Sequence, residues 1–324
     1  MAPVALGDIS SPGETYGDWR DEFYENGYVV IKGAISAEKA KKYQTKALDW
    51  LTSFNKGLDL NDRSTWTQEH LPQSFKAGMY LNYCAAHEKY MWDARQEPGV
   101  IAPFAKIWGT SDLLVSFDTV NITLPGRKDV EWSPWPHVDQ APERQGLSCV
   151  QGIINLSPAG PDDGGLLVMK GSAKLFGEYF ATQPWKRPDD MPARHFDFYP
   201  FQPSEVEWFK ARGCELVKVC AEPGDLILWD SRSMHYAAFP ESETIRTIIY
   251  ACYTPAELAK PEDLAYKAEL LGKWEATTHW PHCNIWSQGK AMVDGEVDPD
   301  EREEPLEKPE LTEMLLKLAG VKAY

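Results

Sequence analysis

The stretch CELVKVCAEPGDLILWDSRSMHYAAF, residues 214–239, decides the fold. Its apolar runs are short and rich in β-branched and aromatic residues. They are separated by Pro223-Gly224-Asp225 and by the polar segment Asp230–Ser233. Runs this brief, bounded by Pro, Gly and Asp, read as antiparallel strands rather than helices. The Pro-Gly-Asp turn launches a strand at Leu226, and His235 falls at the end of the hairpin region that follows. The same texture extends outward. Upstream stand LLVSFDTVNITLP (113–125), GLSCVQGIINLSP (146–158) and GGLLVMKGS (164–172); downstream stands RTIIYACYTP (246–255). Many short strands with regular turn signals are the signature of an antiparallel sandwich or barrel.

Outside this core the pattern becomes helical. Residues 15–26 read as a helix stopped by Gly27, and YVVIKGAI as a strand. Ser36 caps a helix running to about Phe54, with Ala40, Tyr43, Ala47, Leu48 and Leu51 on one face. Residues 55–80 are loop-like, and a further helical stretch covers about 85–108. Residues 173–212 interrupt the strands with one short helix at 203–212, and residues 309–320 form a terminal amphipathic helix stopped by Gly320. The expected plan is α+β: one domain over 1–324, with a β core at about 113–256 and helical flanks at 15–110 and 257–320.

Composition narrows the function. A hydrophobic content of 43% with 13 Trp is globular, and such rings also line small-molecule pockets. A formal net charge of −16 without a basic patch argues against nucleic acid. Much of the acid lies in DGEVDPDEREEPLEKPE (294–310), which reads as a solvated tail. The first residues lack a basic segment followed by an apolar one, and no run reaches the roughly 18 apolar residues of a membrane span. The expectation is a cytoplasmic protein. The six Cys form no zinc-type spacing; Cys149, Cys220 and Cys252 sit in strand-like runs and read as buried thiols.

Seven His are present. His70, His87 and His195 read as surface or capping residues. His279 and His282, in THWPHCNIW (278–286), have a helical ligand spacing, but Pro281 between them argues against a helix. His137 and Asp139, in PWPHVDQAP (134–142), are two apart on an extended chain and so share one face. An ordinary His–Asp hydrogen bond is one reading. Adding His235 makes a two-His, one-carboxylate set that suits non-haem Fe(II) and leaves coordination positions open. Arg246 lies eleven residues after His235, where the next antiparallel strand returns beside the first. An arginine inside a β core is costly unless it meets an anion, and a carboxylate can satisfy its fork. The alternative is a surface strand position beside an acidic neighbour.

These residues, with FYENGYVVIKGAIS (23–36), HVDQ (137–140), NLSPAGPDDGGLLVMKGSAK (155–174), PGDLILWDSRSMHY (223–236) and RTIIYACYTP, resemble the phytanoyl-CoA dioxygenase family of Fe(II)/2-oxoglutarate oxygenases, in its fungal form. The resemblance implies a double-stranded β-helix (jelly-roll) core, iron held by His137, Asp139 and His235, and Arg246 on the distal carboxylate of 2-oxoglutarate. It further implies O2 as co-substrate and ascorbate as a supporting reductant. Gln151 is the candidate for the inner end of 2-oxoglutarate and Asn121 a second one; a core amide bonded to backbone is the alternative for each. The implied reaction is hydroxylation or desaturation of a small organic molecule, giving succinate and CO2. A cupin-like metal enzyme without 2-oxoglutarate, which has no use for Arg246, and a silent binding protein are the competing readings. Trp132, Trp135, Phe176, Trp185 and Tyr236 are expected at the mouth, with Arg144, Lys170, Lys174, Lys186 and Arg187 on its rim.

Overall fold

Short apolar strands between 113 and 255, many buried along their whole length, assemble with two earlier ones into two antiparallel sheets. The computed structural model describes residues 15–324; residues 1–14, where a leader was sought, lie outside the described residues. The larger sheet runs in the order β1 (Tyr28–Ile31), β10 (Leu226–Asp230), β6 (Val150–Asn155), β12 (Arg246–Tyr250), β4 (Val120–Thr123) and β2 (Met79–Tyr80), and β13 (Tyr253–Pro255) joins β6 to β3 (Leu113–Val115). The smaller runs β8 (Tyr199–Pro200), β5 (His137–Val138), β11 (His235–Ala238), β7 (Gly165–Lys170), β9 (Glu215–Lys218). Ile153, Leu166, Val168, Ile227, Trp229 and Ile248, drawn from both sheets, form one buried cluster between them. This is the double-stranded β-helix.

Helices cover the outer face of the larger sheet. Ser36 caps α2 (Ala37–Thr52), its Oγ accepting from the Lys39 N–H at 3.2 Å, and Ala40, Tyr43, Ala47, Trp50 and Leu51 enter the main core. The expected helix at 85–108 is divided into α3 (Lys89–Arg95) and α4 (Pro98–Trp108). Pro98 lacks an N–H and is tolerated only in a first turn, so the chain restarts there. The helix α1 (Trp19–Asn26) ends as expected at Gly27, in the left-handed region. Two elements differ from expectation. A helix α5 (Ser172–Thr182) precedes α6 (Pro203–Lys210) in the interruption, burying Phe176 and Tyr179 against Tyr199, Phe201 and Phe209. The last helix, α8 (Glu313–Leu318), follows α7 (Pro261–Gly272) and is shorter than 309–320, because Thr312 takes the cap and accepts from the Leu315 N–H.

Residues 294–310 are not a solvated tail. Asp298 is buried and accepts from the Tyr83 hydroxyl at 2.6 Å, while Glu301 accepts from the Tyr83 and Ala291 N–H groups. Acidic side chains here satisfy backbone donors, which composition does not reveal. Cys149 and Cys252 are buried, but Cys220 is exposed where β9 gives out. No described helix is long and apolar enough to cross a membrane.

His87 is neither a surface nor a capping residue. It is fully buried, its Nδ1 accepting from Trp92 Nε1 at 3.2 Å and its Nε2 facing the Glu275 carbonyl at 3.0 Å. Burial pushes His87 and His282 down to about 3. The unfolded chain takes up protons at these rings near 6.5, so stability is whole above that pH and is lost as pH falls from 6.5 toward 3. One unit below 6.5 the loss is about 1.4 kcal/mol per ring. The thermal unfolding midpoint is therefore expected to fall between pH 7.5 and 5.5; a level midpoint would contradict the neutral buried rings.

Candidate metal centre

Strand register brings the sequence-distant ligands together. In the antiparallel pairing of β5 with β11, His137 stands directly opposite His235, and their ring centroids are 4.3 Å apart. Asp139 follows β5, anchored by its N–H to the Ser231 carbonyl at 3.1 Å. Its Oδ2 lies 3.2 Å from His235 Nε2 and 3.6 Å from His137 Nε2. One donor atom from each of the three lies within 4.8 Å of the others.

The tautomers follow from what the other nitrogens touch. His137 Nδ1 faces the Trp135 carbonyl at 3.0 Å and His235 Nδ1 the Ser233 carbonyl at 2.9 Å. A carbonyl only accepts, so each Nδ1 carries the proton and each Nε2 presents a lone pair inward. Burial, with His235 alongside, holds His137 below its ordinary value. The Trp135 ring stacks on His137 at 4.3 Å and 7° between planes, which fixes the imidazole plane. Two imidazole lone pairs and one carboxylate fit a divalent first-row metal with open positions.

Gln151, expected at the inner end of 2-oxoglutarate, lines the same cavity as the triad. Its Nε2 donates to Asp139 Oδ2 at 2.9 Å, so it orients the third ligand. Its Oε1 is buried without a partner, as is the Nε1 of its cross-strand neighbour Trp229. Both residues line the cavity in front of the triad, where a polar ligand can meet those atoms. Gln151→Leu is expected to weaken Mn(II) binding by roughly 10-fold or more, because carboxylates that lose their outer hydrogen bond reorient. Unchanged binding by electron paramagnetic resonance titration would remove Gln151 from that role.

Arg246 opens β12 and is 5% exposed. Its guanidinium donates to Asn121 Oδ1 at 2.9 Å, which also accepts from Thr123 Oγ1, and it pairs with no described carboxylate. Asn121 thus belongs to the Arg246 end of the cavity. Tyr250 bonds to the same arginine. Gly165 permits the fit. Its φ is +100°, and a Cβ there would stand 2.8 Å from Arg246 Nε. A buried arginine without a counter-ion, facing the same cavity as the triad, fits a dicarboxylate that spans from metal to guanidinium.

The cavity measures 760 Å³, and its lining mixes Trp, Tyr and Phe rings with polar and charged residues. Trp132, Trp135 and Tyr236 line it as expected, but Phe176 and Trp185 pack into the cluster around α5. The expected rim cations do not line it. Arg144 is bidentate on Asp197, Lys174 pairs with Glu25, Lys186 with Asp189 and Arg187 with Glu143. Lys76 and Arg194 stand at the cavity instead. Trp229, Tyr250 and Asp118 went unnoticed in the sequence. The continuous apolar run Leu226–Trp229 in β10 marks a buried strand without showing that Trp229 faces the cavity.

Comparison with known proteins agrees with this architecture. The family model described as Phytanoyl-CoA dioxygenase (PhyH) matches residues 23–248. The chain is 49% identical over 255 residues to Ava biosynthesis cluster protein O of Aspergillus versicolor, covering 78% of this chain and 82% of that one. It is 24% identical to a putative phytanoyl-CoA dioxygenase of Dictyostelium discoideum, over 66% of this chain and 68% of the other. Among solved structures, EctD from S. alaskensis with bound Fe superposes with a TM-score of 0.51 at 18% identity, covering 80% of this chain and 83% of EctD.

Proposed function

The chain belongs to the phytanoyl-CoA dioxygenase family of non-haem iron, 2-oxoglutarate-dependent oxygenases, and on that premise we propose that it hydroxylates or desaturates a small organic molecule, releasing succinate and CO2. The observation that carries this reading is one cavity holding both a buried His137–Asp139–His235 cluster and a buried Arg246 that pairs with no described carboxylate. A cupin-like metal enzyme without 2-oxoglutarate leaves that arginine without a purpose. The relative named for a biosynthesis cluster supports a biosynthetic small molecule as substrate.

The residues divide the work as follows. His137, Asp139 and His235 hold the iron, and Arg246, set by Asn121 and Tyr250, holds the distal carboxylate of 2-oxoglutarate. Together with O2 and the keto-acid, the iron supplies a strong oxidant of C–H bonds. The protein contributes orientation and dryness. Gln151 keeps Asp139 turned inward, the Trp135 and Trp132 rings cover the site, and the two Nδ1 hydrogen bonds keep both imidazoles in their binding tautomer. Asp139 would hold the metal through its carboxylate, where a small residue would be needed to admit a halide. Wild-type protein is therefore expected to give no chlorinated or brominated product at any halide concentration, as mass spectrometry of the reaction can check.

The experiment that tests the proposal is a metabolite-library screen with purified protein, Fe(II), 2-oxoglutarate and ascorbate in air. A product heavier by one oxygen or lighter by two hydrogens, formed with equal succinate, supports it. Iron-loaded protein that forms no succinate above the protein-free blank with any compound would overturn it.

A further inference from the structure

The segment 277–288, whose His279 and His282 lacked a role in the sequence, forms one wall of the cavity through Thr277, Thr278, His279, Trp280, Asn284 and Gln288. Its backbone is tied internally: Thr278 Oγ1 donates to the Asn284 carbonyl at 3.0 Å and Gln288 Nε2 to the Thr277 carbonyl at 3.2 Å. From this braced wall His279 lines the cavity, and its Nε2 is buried with no partner among the described residues. Asp118 lines the same cavity. It is 8% exposed, and its Oδ1 accepts from the Thr119 N–H at 2.8 Å. Its own backbone carbonyl receives the buried guanidinium of Arg95. His279, Asp118 and the ligand Asp139 line this one cavity together.

A buried imidazole nitrogen without a partner is costly to leave unmade and is rare in folded proteins. None of the groups assigned to the metal or to 2-oxoglutarate satisfies it. A carboxylate beside an imidazole offers an acceptor and a second donor or acceptor to one polar group of a ligand. Elsewhere the cavity presents the rings of Trp132, Trp286 and Phe198, which suit an apolar body, among polar residues such as Thr123, Ser133 and Asn284. The Lys76 ammonium sits over the Trp135 face at 4.7 Å, so that ring is covered on the side away from His137 and acts as a wall.

We infer that His279 and Asp118 form a substrate-orienting subsite beside Asp139, which grips a neutral hydroxyl on a largely apolar ring compound and so decides which C–H faces the metal. The inference rests on the oxygenase reading and adds the substrate class and the residues that orient it.

The test uses a probe pair, 2-naphthol and 2-methoxynaphthalene, with whole protein loaded with Mn(II) and 2-oxoglutarate under argon. Affinity is read by ligand NMR, and orientation by the paramagnetic relaxation that Mn(II) imposes on each ring proton. Wild type is expected to prefer 2-naphthol by about 5-fold, the worth of one good hydrogen bond, with an ordered set of proton relaxation rates. His279→Leu and Asp118→Asn should abolish the preference and level the rates, and His279→Gln should restore part of both. Mn(II) and 2-oxoglutarate binding, measured separately, should not change in His279→Leu. A preference and relaxation order retained in His279→Leu, or absent from wild type, would overturn the subsite while leaving the oxygenase reading intact. Wild type that takes up no 2-oxoglutarate would overturn both.

Discussion

His235→Ala is expected to bind Mn(II) at least about 100-fold more weakly than wild type, and to lose 2-oxoglutarate turnover with it. Disturbing merely the outer partners of a metal ligand costs roughly 10- to 100-fold, so removing a ligand costs more. In this fold the loss is not made good by a neighbour. Among the described residues only His137, Asp139 and His235 form a His/Cys/Asp/Glu cluster tight enough to hold an ion. Alanine leaves the backbone pairing of β11 with β5 and β7 in place, so the fold should persist. Circular dichroism can establish that, and Mn(II) titration then isolates the metal site. Wild-type affinity in a folded His235→Ala protein would mean that the cluster is an ordinary His–Asp hydrogen-bonded group.

Arg246→Ala should leave metal affinity nearly unchanged and weaken 2-oxoglutarate by about 30-fold or more. The substitution strands a desolvated carboxylate, a loss on the order of 2 to 5 kcal/mol, and each 1.4 kcal/mol is tenfold. The cavity offers no substitute at that end, since Asn121 and Tyr250 are neutral and both address the same guanidinium. Arg246→Lys keeps the charge but loses the planar fork and the contact with Asn121, and should fall between the two. The measurement is a titration of 2-oxoglutarate into each Mn(II)-loaded variant. Equal affinity in Arg246→Ala would turn the assignment toward a metal enzyme that uses no 2-oxoglutarate. The two variants also separate from each other: one loses metal first, the other keeps metal and loses the keto-acid.

The ligands were legible because their chemistry is local. His137 and Asp139 share a face through the two-residue period of extended chain, and the Pro223-Gly224-Asp225 turn launches β10, after which the chain crosses to the smaller sheet and reaches His235 at the start of β11. The roles of Gln151 and Asn121 were not legible. An amide on a buried strand looks alike whether it bonds a metal ligand, an arginine or a carbonyl, and only the cross-strand neighbour tells them apart. The α5 helix was hidden for a similar reason. SAKLFGEYFAT is mixed in character, and its Phe176 and Tyr179 are apolar partners for Tyr199 and Phe209, distant in the chain.

The sequence by itself determined the strand-and-turn grammar of residues 113–255, the caps at Ser36 and Gly27, and the chemistry of the His137, Asp139 and His235 set that the fold brings together. Those are properties of neighbours a few residues apart, where backbone sterics and hydrophobic period act directly. Tertiary structure alone decided that His137 stands opposite His235, that Gln151 turns toward Asp139, that His87 is buried and neutral, and that the acidic stretch at 294–310 is tied to Tyr83. Each depends on which distant segments share a dry interior, where an unpaired polar atom is expensive and its partner is chosen by packing rather than by position in the chain.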